Sequence, residues 1–370
     1  MRSIQFSIVA CFIGMFVLTV PFFAQQSQLK LVFTGDIMGH DSQIASALAT
    51  GEAGYDYKPC FQYLRPYLQE ADLVIGNLEV TFAGPPYKGY PAFSSPDELA
   101  DGLKWAGFDI LVNANNHALD RGRSGLERTI EVLDDKELVQ TGTFTNAESR
   151  ATNYPLVFEK HGIRIALLNY TYGTNGIKDR PPAIINRIDT AQIRLDMLKA
   201  RTAEPDFILV TMHWGNEYQL NESAQQRELA AFLFNEGAHA VIGSHPHVVQ
   251  AIRGNGTGNL VAYSMGNLVS NQRNRNRNGG IAFEIELSKD NEGPEISAFS
   301  YLPVWVWKPH TKKGTRFTLV PANLDPSSDI LSAMSAEDRS KMLLFLEDTR
   351  SRLKSCKESH TPLLSIDLPR

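Results

Sequence analysis

At 370 residues the chain is long enough for one large α/β domain or two smaller ones, and with 43% of residues hydrophobic it can bury a sizeable core. Its formal net charge of −5 gives no global reason to expect a nucleic-acid partner. The three cysteines, Cys11, Cys60 and Cys356, make neither a disulfide framework nor a zinc ribbon.

Residues 1–24 read as a targeting segment. Arg2 supplies the positive start, residues 8–20 the apolar run, and Phe22-Phe23-Ala24 the cleavage site. The apolar run is short for a membrane span, and an uncleaved anchor is the alternative. The expectation is an exported protein, periplasmic or extracellular, cut near Ala24, with Cys60 and Cys356 as its only thiols.

Residues 28–35 alternate into an apolar strand that stops at Gly35-Asp36, with His40 and Asp41 following. Asp36 is there a metal ligand, a phosphate-handling group or a turn residue. Residues 59–71 carry apolar positions at helical spacing. A second buried strand over 72–76 ends in Asn77-Leu78-Glu79, and an extended backbone puts Asn77 and Glu79 on one side, within reach of one cation. A Pro/Gly/Tyr-rich loop leads to a helix from Ser95 to Ala106, then to a third strand at 108–112.

That strand runs into Asn113-Ala-Asn-Asn-His117-Ala-Leu-Asp120. Carboxamides and a histidine are costly to bury unless paired, a carboxamide oxygen can ligate a hard cation, and His117 can donate a proton to a leaving group. The plainer alternative is a capped helix start with a surface histidine. A helix over 123–136 and a short strand over 138–142 follow. Two strands flank Lys160-His161-Gly162 as a hairpin, which makes His161 a turn residue. The polar loop 169–182 can line a cleft or simply connect.

A helix over 188–202 precedes a strand at 206–212 that ends at His213, with Asn216 or Glu217 placed to orient the imidazole. A helix over 222–236, with Gly237 as its cap, leads to Ala240-Val-Ile-Gly-Ser-His245-Pro-His247. Two histidines one residue apart aim both rings at one point if the backbone stays extended, which Pro246 favours. A hairpin spans 248–263, and the loop 272–280 alternates Arg273, Arg275 and Arg277 with asparagines. It reads as a mobile surface loop or as a flap that grips carboxylates or phosphates. Strands at 281–287 and 295–302 complete the sheet region, and a charged helix at about 336–353 follows.

Strand after strand thus ends in a potential ligand: Asp36, Glu79 with Asn77, Asn116-His117, His213, and His245 with His247. One shared site explains this better than separate coincidences, because ligands in layered α/β folds gather at the carboxyl ends of strands. Mixed oxygen and imidazole ligands suit a hydrolytic centre with one or two divalent ions, Mn, Fe or Zn.

Gly-Asp-Ile-Met, Gly-Asn-Leu-Glu, Asn-Asn-His-Ala-Leu-Asp-Arg-Gly, His-Trp-Gly-Asn-Glu-Tyr, Gly-Ser-His-Pro-His and Ser-Met-Gly-Asn-Leu, in that order, resemble the blocks of the CapA family of capsule synthesis proteins. That family is associated with making or exporting poly-γ-glutamate capsule and is similar in fold to calcineurin-like metallophosphoesterases. Over residues 29–288 the resemblance implies a four-layer α/β/β/α sandwich with a divalent-metal centre between two sheets. It implies metal ligands at Asp36, Asn116, His213, His245 and His247, and a histidine at 117 that protonates or stabilises the reacting group. Asn116 and His117 are the expected catalytic residues. The phosphoesterase pattern has Asp-x-His in its first block, where this chain has Met38, and a bridging Asp in its second, where this chain has Asn77. Glu79 is the carboxylate nearest that place.

The expected organisation is a signal peptide over 1–24, a CapA-like metallophosphatase-fold domain over 29–304 and a C-terminal extension over 305–370. The expected function is an exported, metal-dependent hydrolase-like protein of capsular polyglutamate biosynthesis or processing, acting on an anionic polymer that Arg273, Arg275 and Arg277 grip. The alternatives are a phosphomonoesterase or phosphodiesterase, and a non-catalytic export or scaffold factor. Membrane-associated capsule machinery is the expected partner.

Overall fold

Alternation along the strands sets the layers. In Ser27–Ile37, residues Leu29, Leu31 and Phe33 enter one hydrophobic cluster while Val32 enters another. In Phe207–His213, Phe207 and Leu209 join that same inner cluster, whereas Ile208, Val210 and Met212 face the other way. Successive side chains of a strand point to opposite faces, so two sheets share one apolar filling and each needs a second cover outside. Phe61, Leu64, Leu99 and Leu103 from helical segments cover one sheet; Ile193, Met197, Ala230 and Leu233 cover the other. The fold is therefore the four-layer α/β/β/α sandwich that the resemblance implies. The computed structural model describes residues 27–50, 54–254 and 258–360, so the targeting segment with Cys11 lies outside the described residues.

The first sheet has nine strands, with the path Thr318–Pro321, Gly293–Trp307, Gly279–Asp290, Ser27–Ile37, Leu73–Leu78, Ile110–Val112, Val139–Thr141. The second has six: Ile252–Gly254, Leu260–Ala262, Ala240–Ser244, Phe207–His213, Ile163–Thr171, Leu156–Lys160. Strands from Ser27–Ile37 to Val139–Thr141 in the first sheet run parallel, as do the central strands of the second; antiparallel strands close the first sheet's other edge and both edges of the second. Register then builds the site. Asp36 stands opposite Asn77 on one neighbour and Asn267 on another, and His213 stands opposite Ser244 and Thr171.

Two expectations need correction. Residues 59–71 form two short helices, Lys58–Phe61 and Arg65–Leu68. Pro66 lacks the N–H an uninterrupted helix requires and clashes with the preceding turn, so each segment starts at its own proline. The hairpin strands expected at 281–287 and 295–302 are longer, Gly279–Asp290 and Gly293–Trp307, and Thr318–Pro321 pairs with the second. The helix Ala336–Arg352 places Met342, Phe345 and Leu346 against Trp305 and Trp307. His161 and Gly162 do make a turn, with φ of +52° and +77°. Cys60 and Cys356 are both free. Among the described residues no helix is long and apolar enough to cross a membrane.

Gly243 fixes how closely this architecture closes. A Cβ there would lie 2.0 Å from the Tyr263 carbonyl oxygen and 2.4 Å from Trp214 Nε1, two atoms already joined by a 2.9 Å hydrogen bond. Gly243→Ala is expected to cost about 1–3 kcal/mol or more, the range for overpacking a filled interior, read as a lower urea midpoint with an unchanged slope. An unchanged midpoint would show that these strands separate freely and do not pin the histidine segment beside them.

Candidate metal centre

Asp36 is fully buried at the end of the first strand, its N–H donating to the Gly266 carbonyl at 3.0 Å. Gly35 permits this contact, since a Cβ on it would sit 1.9 Å from the same oxygen. The Asp36 carboxylate accepts from Asn77 Nδ2 at 2.8 Å and lies 2.9 Å from His247 Nδ1. That nitrogen is also 3.0 Å from Asn267 Oδ1. Facing two oxygen acceptors, it is assigned the proton, which leaves Nε2 with its lone pair free.

His213, also fully buried, has Nε2 at 2.8 Å from Asn116 Oδ1 and Nδ1 at 3.1 Å from Ser244 Oγ. Such bonds fix ring orientation before any ligand arrives. His117 Nδ1 lies 2.7 Å from Asp120 Oδ2, which also accepts from the Phe93 N–H at 2.7 Å. The Phe93 ring meets the His117 ring edge-on at 4.6 Å.

Glu79 stands in the middle. It is fully buried, and among the described residues neither carboxylate oxygen has a hydrogen-bond partner. Its Oε1 is 3.7 Å from His213 Nε2, 3.9 Å from His247 Nε2 and 4.0 Å from His117 Nε2. His245 Nδ1 and Asn77 Oδ1 are likewise buried and unpartnered. Ligand atoms lie within 4.8 Å of one another in two groups, Asp36-Glu79-His213 and Glu79-His245-His247. Glu79 belongs to both.

The cleft brings together Asp36, Glu79, Asn116, His117, His213, His245 and His247. Three expectations fail in detail. The His245-Pro246-His247 backbone is not extended: the strand stops at Ser244, and the histidines take φ of +97° and +58°. Left-handed backbone at a branched-free but bulky residue costs about 1–3 kcal/mol, so the surroundings must hold it there. Asn216 and Glu217 do not orient His213, because the chain turns at Gly215 (φ +80°) and leaves both exposed, while Asn116 and Ser244 take that role.

The arginines also separate. Arg277 alone reaches the rim, its guanidinium 3.4 Å from the centre of the Tyr218 ring, which lies 6.0 Å from the His247 ring. Arg275 makes two 2.8 Å bonds to Asp348, and exposed Arg273 leans toward Asn271. A turn from Asn274 to Arg277 reverses the chain between them, which alternation alone does not reveal. Asn267, Ser244 and Asp120 had no assigned role from sequence. Ser244 closes an apolar strand and Asp120 follows a candidate histidine by three residues, which were their signals; Asn267, which opens a short strand after a glycine, had none.

Burial, and next the Asp36 carboxylate, push the Glu79 carboxyl well above its ordinary value of 4.5. Burial, and next His245, hold His213 well below 6.5; burial, and next His247, bring His245 to about 4. His213 and His245 are therefore neutral near pH 7, the form that ligates, and Glu79 holds its proton more tightly than an ordinary carboxyl.

A family model described as bacterial capsule synthesis protein PGA_cap matches residues 30–272. The capsule biosynthesis protein CapA of Bacillus anthracis is 29% identical over 262 residues, 67% of this chain and 61% of that protein. The PGA biosynthesis protein CapA of Bacillus subtilis is 29% identical over 280 residues, 72% of this chain and 69% of that one. A solved phosphatase structure from Mycoplasma pneumoniae is similar at TM-score 0.46 and 16% identity, covering 76% of this chain and 94% of that one.

The shifts fix a sign for the metal-free protein. Above about pH 7.5, a unit past the ordinary histidine value, His213 and His245 are neutral folded and unfolded and add no slope. Glu79 holds its proton more tightly in the fold than in the unfolded chain, where its ordinary value is 4.5, so stability falls as pH rises toward its raised value. With chelator present, its share of the loss is expected to reach at most about 1.4 kcal/mol per pH unit on the way to that raised value. Glu79→Gln should flatten that slope in denaturant titrations at successive pH. A slope equal to that of the unaltered protein would show that Glu79 is solvated or paired.

Proposed function

The chain belongs to the bacterial capsule synthesis protein PGA_cap family, and from that premise we propose that it is a divalent-metal-dependent hydrolase of capsular polyglutamate biosynthesis or processing. The supporting observation is the buried, unpartnered Glu79 carboxylate set among the ring nitrogens of His213 and His247. A charge without water or hydrogen bonds is retained where a cation compensates it. The orphaned Glu79, Asn77 and His245 atoms fit a metal on that ground.

Asp36, Glu79 and His213 would hold one ion, with Asn116 Oδ1 beside His213, and Glu79, His245 and His247 a second. This oxygen and imidazole set suits Mn, Fe or Zn. A divalent cation there supplies Lewis-acid polarisation of a substrate oxygen. The chain's own groups do the rest. His117, steadied at Nδ1 by Asp120, turns Nε2 toward Glu79 and is placed to give a proton to the departing group. Arg277, held flat on Tyr218, offers its N–H edge to a carboxylate at the rim. Export, with residues 1–24 removed near Ala24, and work beside membrane-associated capsule machinery complete the proposal.

Metal analysis of the purified protein and hydrolysis assays on a γ-glutamyl oligomer and on p-nitrophenyl phosphate test this. His245→Ala and His213→Ala are expected to lose metal and hydrolysis together. His117→Asn is expected to keep its metal and lose about 10²–10⁴-fold in rate, the share of general acid catalysis. Unchanged metal content in His245→Ala would overturn the ligand assignment. Cleavage of the phosphate ester alone would replace polyglutamate by a phosphoester, and full metal with no hydrolysis of either would favour a scaffold.

A further inference from the structure

A second cleft, of about 530 Å³, opens between the arginine-bearing loop and the C-terminal helix Ala336–Arg352. That volume is ordinary for a small-ligand site. Its walls include Arg273 and Asn278 at the two ends of the loop, and Trp305, Trp307 and Lys308 from the end of the long edge hairpin. Trp305 is 3% exposed, and its indole Nε1 has no hydrogen-bond partner among the described residues. Asn278 Oδ1 is buried and unpartnered as well. Asn278 joins the same wall through the backbone, since Trp305 is in register with Gly279 and the Val306 N–H donates to the Asn278 carbonyl at 3.0 Å. The lining therefore carries one orphan donor and one orphan acceptor, the two hydrogen-bonding functions that an amide group complements.

The charges in the cleft point the same way. Lys308 Nζ has the Gln272 carbonyl at 3.4 Å and the Phe317 ring at 5.2 Å, and among the described residues no carboxylate pairs with it. Burial, and next the neighbouring Arg273, lower it to about 8, an environment that a bound carboxylate would relieve. Arg273 has no ion pair among the described residues either. The acids on the far wall are already engaged: Glu337 by Lys341 at 2.5 Å, and Asp338 by the Trp307 indole at 3.3 Å. Contacts lead from the cleft toward the metal centre: Lys308 reaches the Gln272 carbonyl, the neighbouring Asn271 N–H donates to His40 Nδ1 at 3.2 Å, and the Phe93 ring lies 5.3 Å from the His40 ring and 4.6 Å from that of His117.

We propose that this cleft is a binding subsite for a polyamide with pendant carboxylates: Lys308 and Arg273 receive the carboxylates, the Trp305 N–H donates to an amide carbonyl, and Asn278 Oδ1 accepts from an amide N–H. The identity of that polymer as polyglutamate rests on the function proposed above; the chemistry of the subsite does not. A chain leaving the metal centre past His40 would enter it, so binding in the cleft sets which stretch of polymer faces the ions.

The test is calorimetric binding of a γ-glutamyl decamer to the full, chelator-treated chain, with free glutamate and inorganic phosphate as comparison probes. Lys308→Met is expected to weaken decamer binding by about 10–100-fold, the worth of a charge-assisted hydrogen bond, and Trp305→Phe by about 2–10-fold. Lys312→Gln, on an exposed turn, should bind as the unaltered chain does. Thermal melts check each variant's folding; should Lys308→Met fail to fold, Arg273→Gln on the exposed rim reads the same carboxylate contact. Undiminished binding in the folded Lys308 or Arg273 variant overturns the proposal, as does glutamate or phosphate binding as tightly as the decamer. Decamer binding that depends on Lys308 while no hydrolysis is ever found would sink the reading of the metal centre and leave the cleft standing.

Discussion

An ionised carboxylate deep in a protein must find donors or a counter-charge, and among the described residues neither Glu79 oxygen has a hydrogen-bond donor. Taking such a group out of water costs several kcal/mol even after relaxation. The groups around it offer no relief, because burial keeps His213 and His245 unprotonated and so presents lone pairs where protons would be needed. Asp36 adds a second carboxylate beside the first. Every nearby bond that is satisfied lies one step outward: Asp36 with Asn77, His247 with Asn267, His213 with Asn116 and Ser244. Those bonds hold the donor atoms still while leaving the middle unsatisfied.

The sandwich exists in a form that can impose this. Parallel strands in each sheet end at the same edge, and the two edges meet with one apolar filling behind them. Register puts Asp36 between Asn77 and Asn267, and His213 between Thr171 and Ser244, so no loop has to find these pairings for itself. Close backbone approach at Gly35 and Gly243 locks the two edges where a side chain would wedge them apart. The strained φ values of His245 and His247 are borne by this rigid frame, which is where backbone strain persists.

Much of this was legible in sequence because its signals are local. Period-two apolar runs that stop at a polar residue identified Asp36, Glu79, His213 and the two histidines after Ala240–Ser244. The failures were non-local or conformational. Nothing in His245-Pro246-His247 announces left-handed backbone at non-glycine residues, and Pro246 argues for the opposite. Arg275 looks equivalent to Arg277 until Asp348, on a helix far along the chain, claims it. Asn267 reads as an ordinary residue after a glycine, yet it joins the centre to the loop, holding His247 Nδ1 with its oxygen and donating to the Arg277 carbonyl at 2.8 Å. Pro66 was the one missed signal that was local, and it breaks the helix expected over 59–71.

The departures from the phosphoesterase pattern can now be weighed by charge. Met38 is packed into the outer core at 2% exposure, and His40 is held through Nδ1 by Gln43 and Asn271, so neither replaces the absent first-block histidine. Asn77 cannot bridge as an aspartate would, since it has a single side-chain oxygen and no charge: its Nδ2 donates to Asp36 and only Oδ1 is left unpartnered. Glu79, two residues on and facing the same centre, is common to both ligand groups and is the carboxylate that would serve both. The ligand groups together then offer two carboxylates and three imidazoles, and two ionised carboxylates would be balanced by one divalent ion. A second ion leaves the centre positive, and such a charge is stable in a buried site only when an anion comes with it. Carboxylates of a polymer and oxygens of a phosphoester are both such anions. A second ion at this centre would therefore call for an anionic group beside it, and the pendant carboxylates proposed for the substrate would supply one.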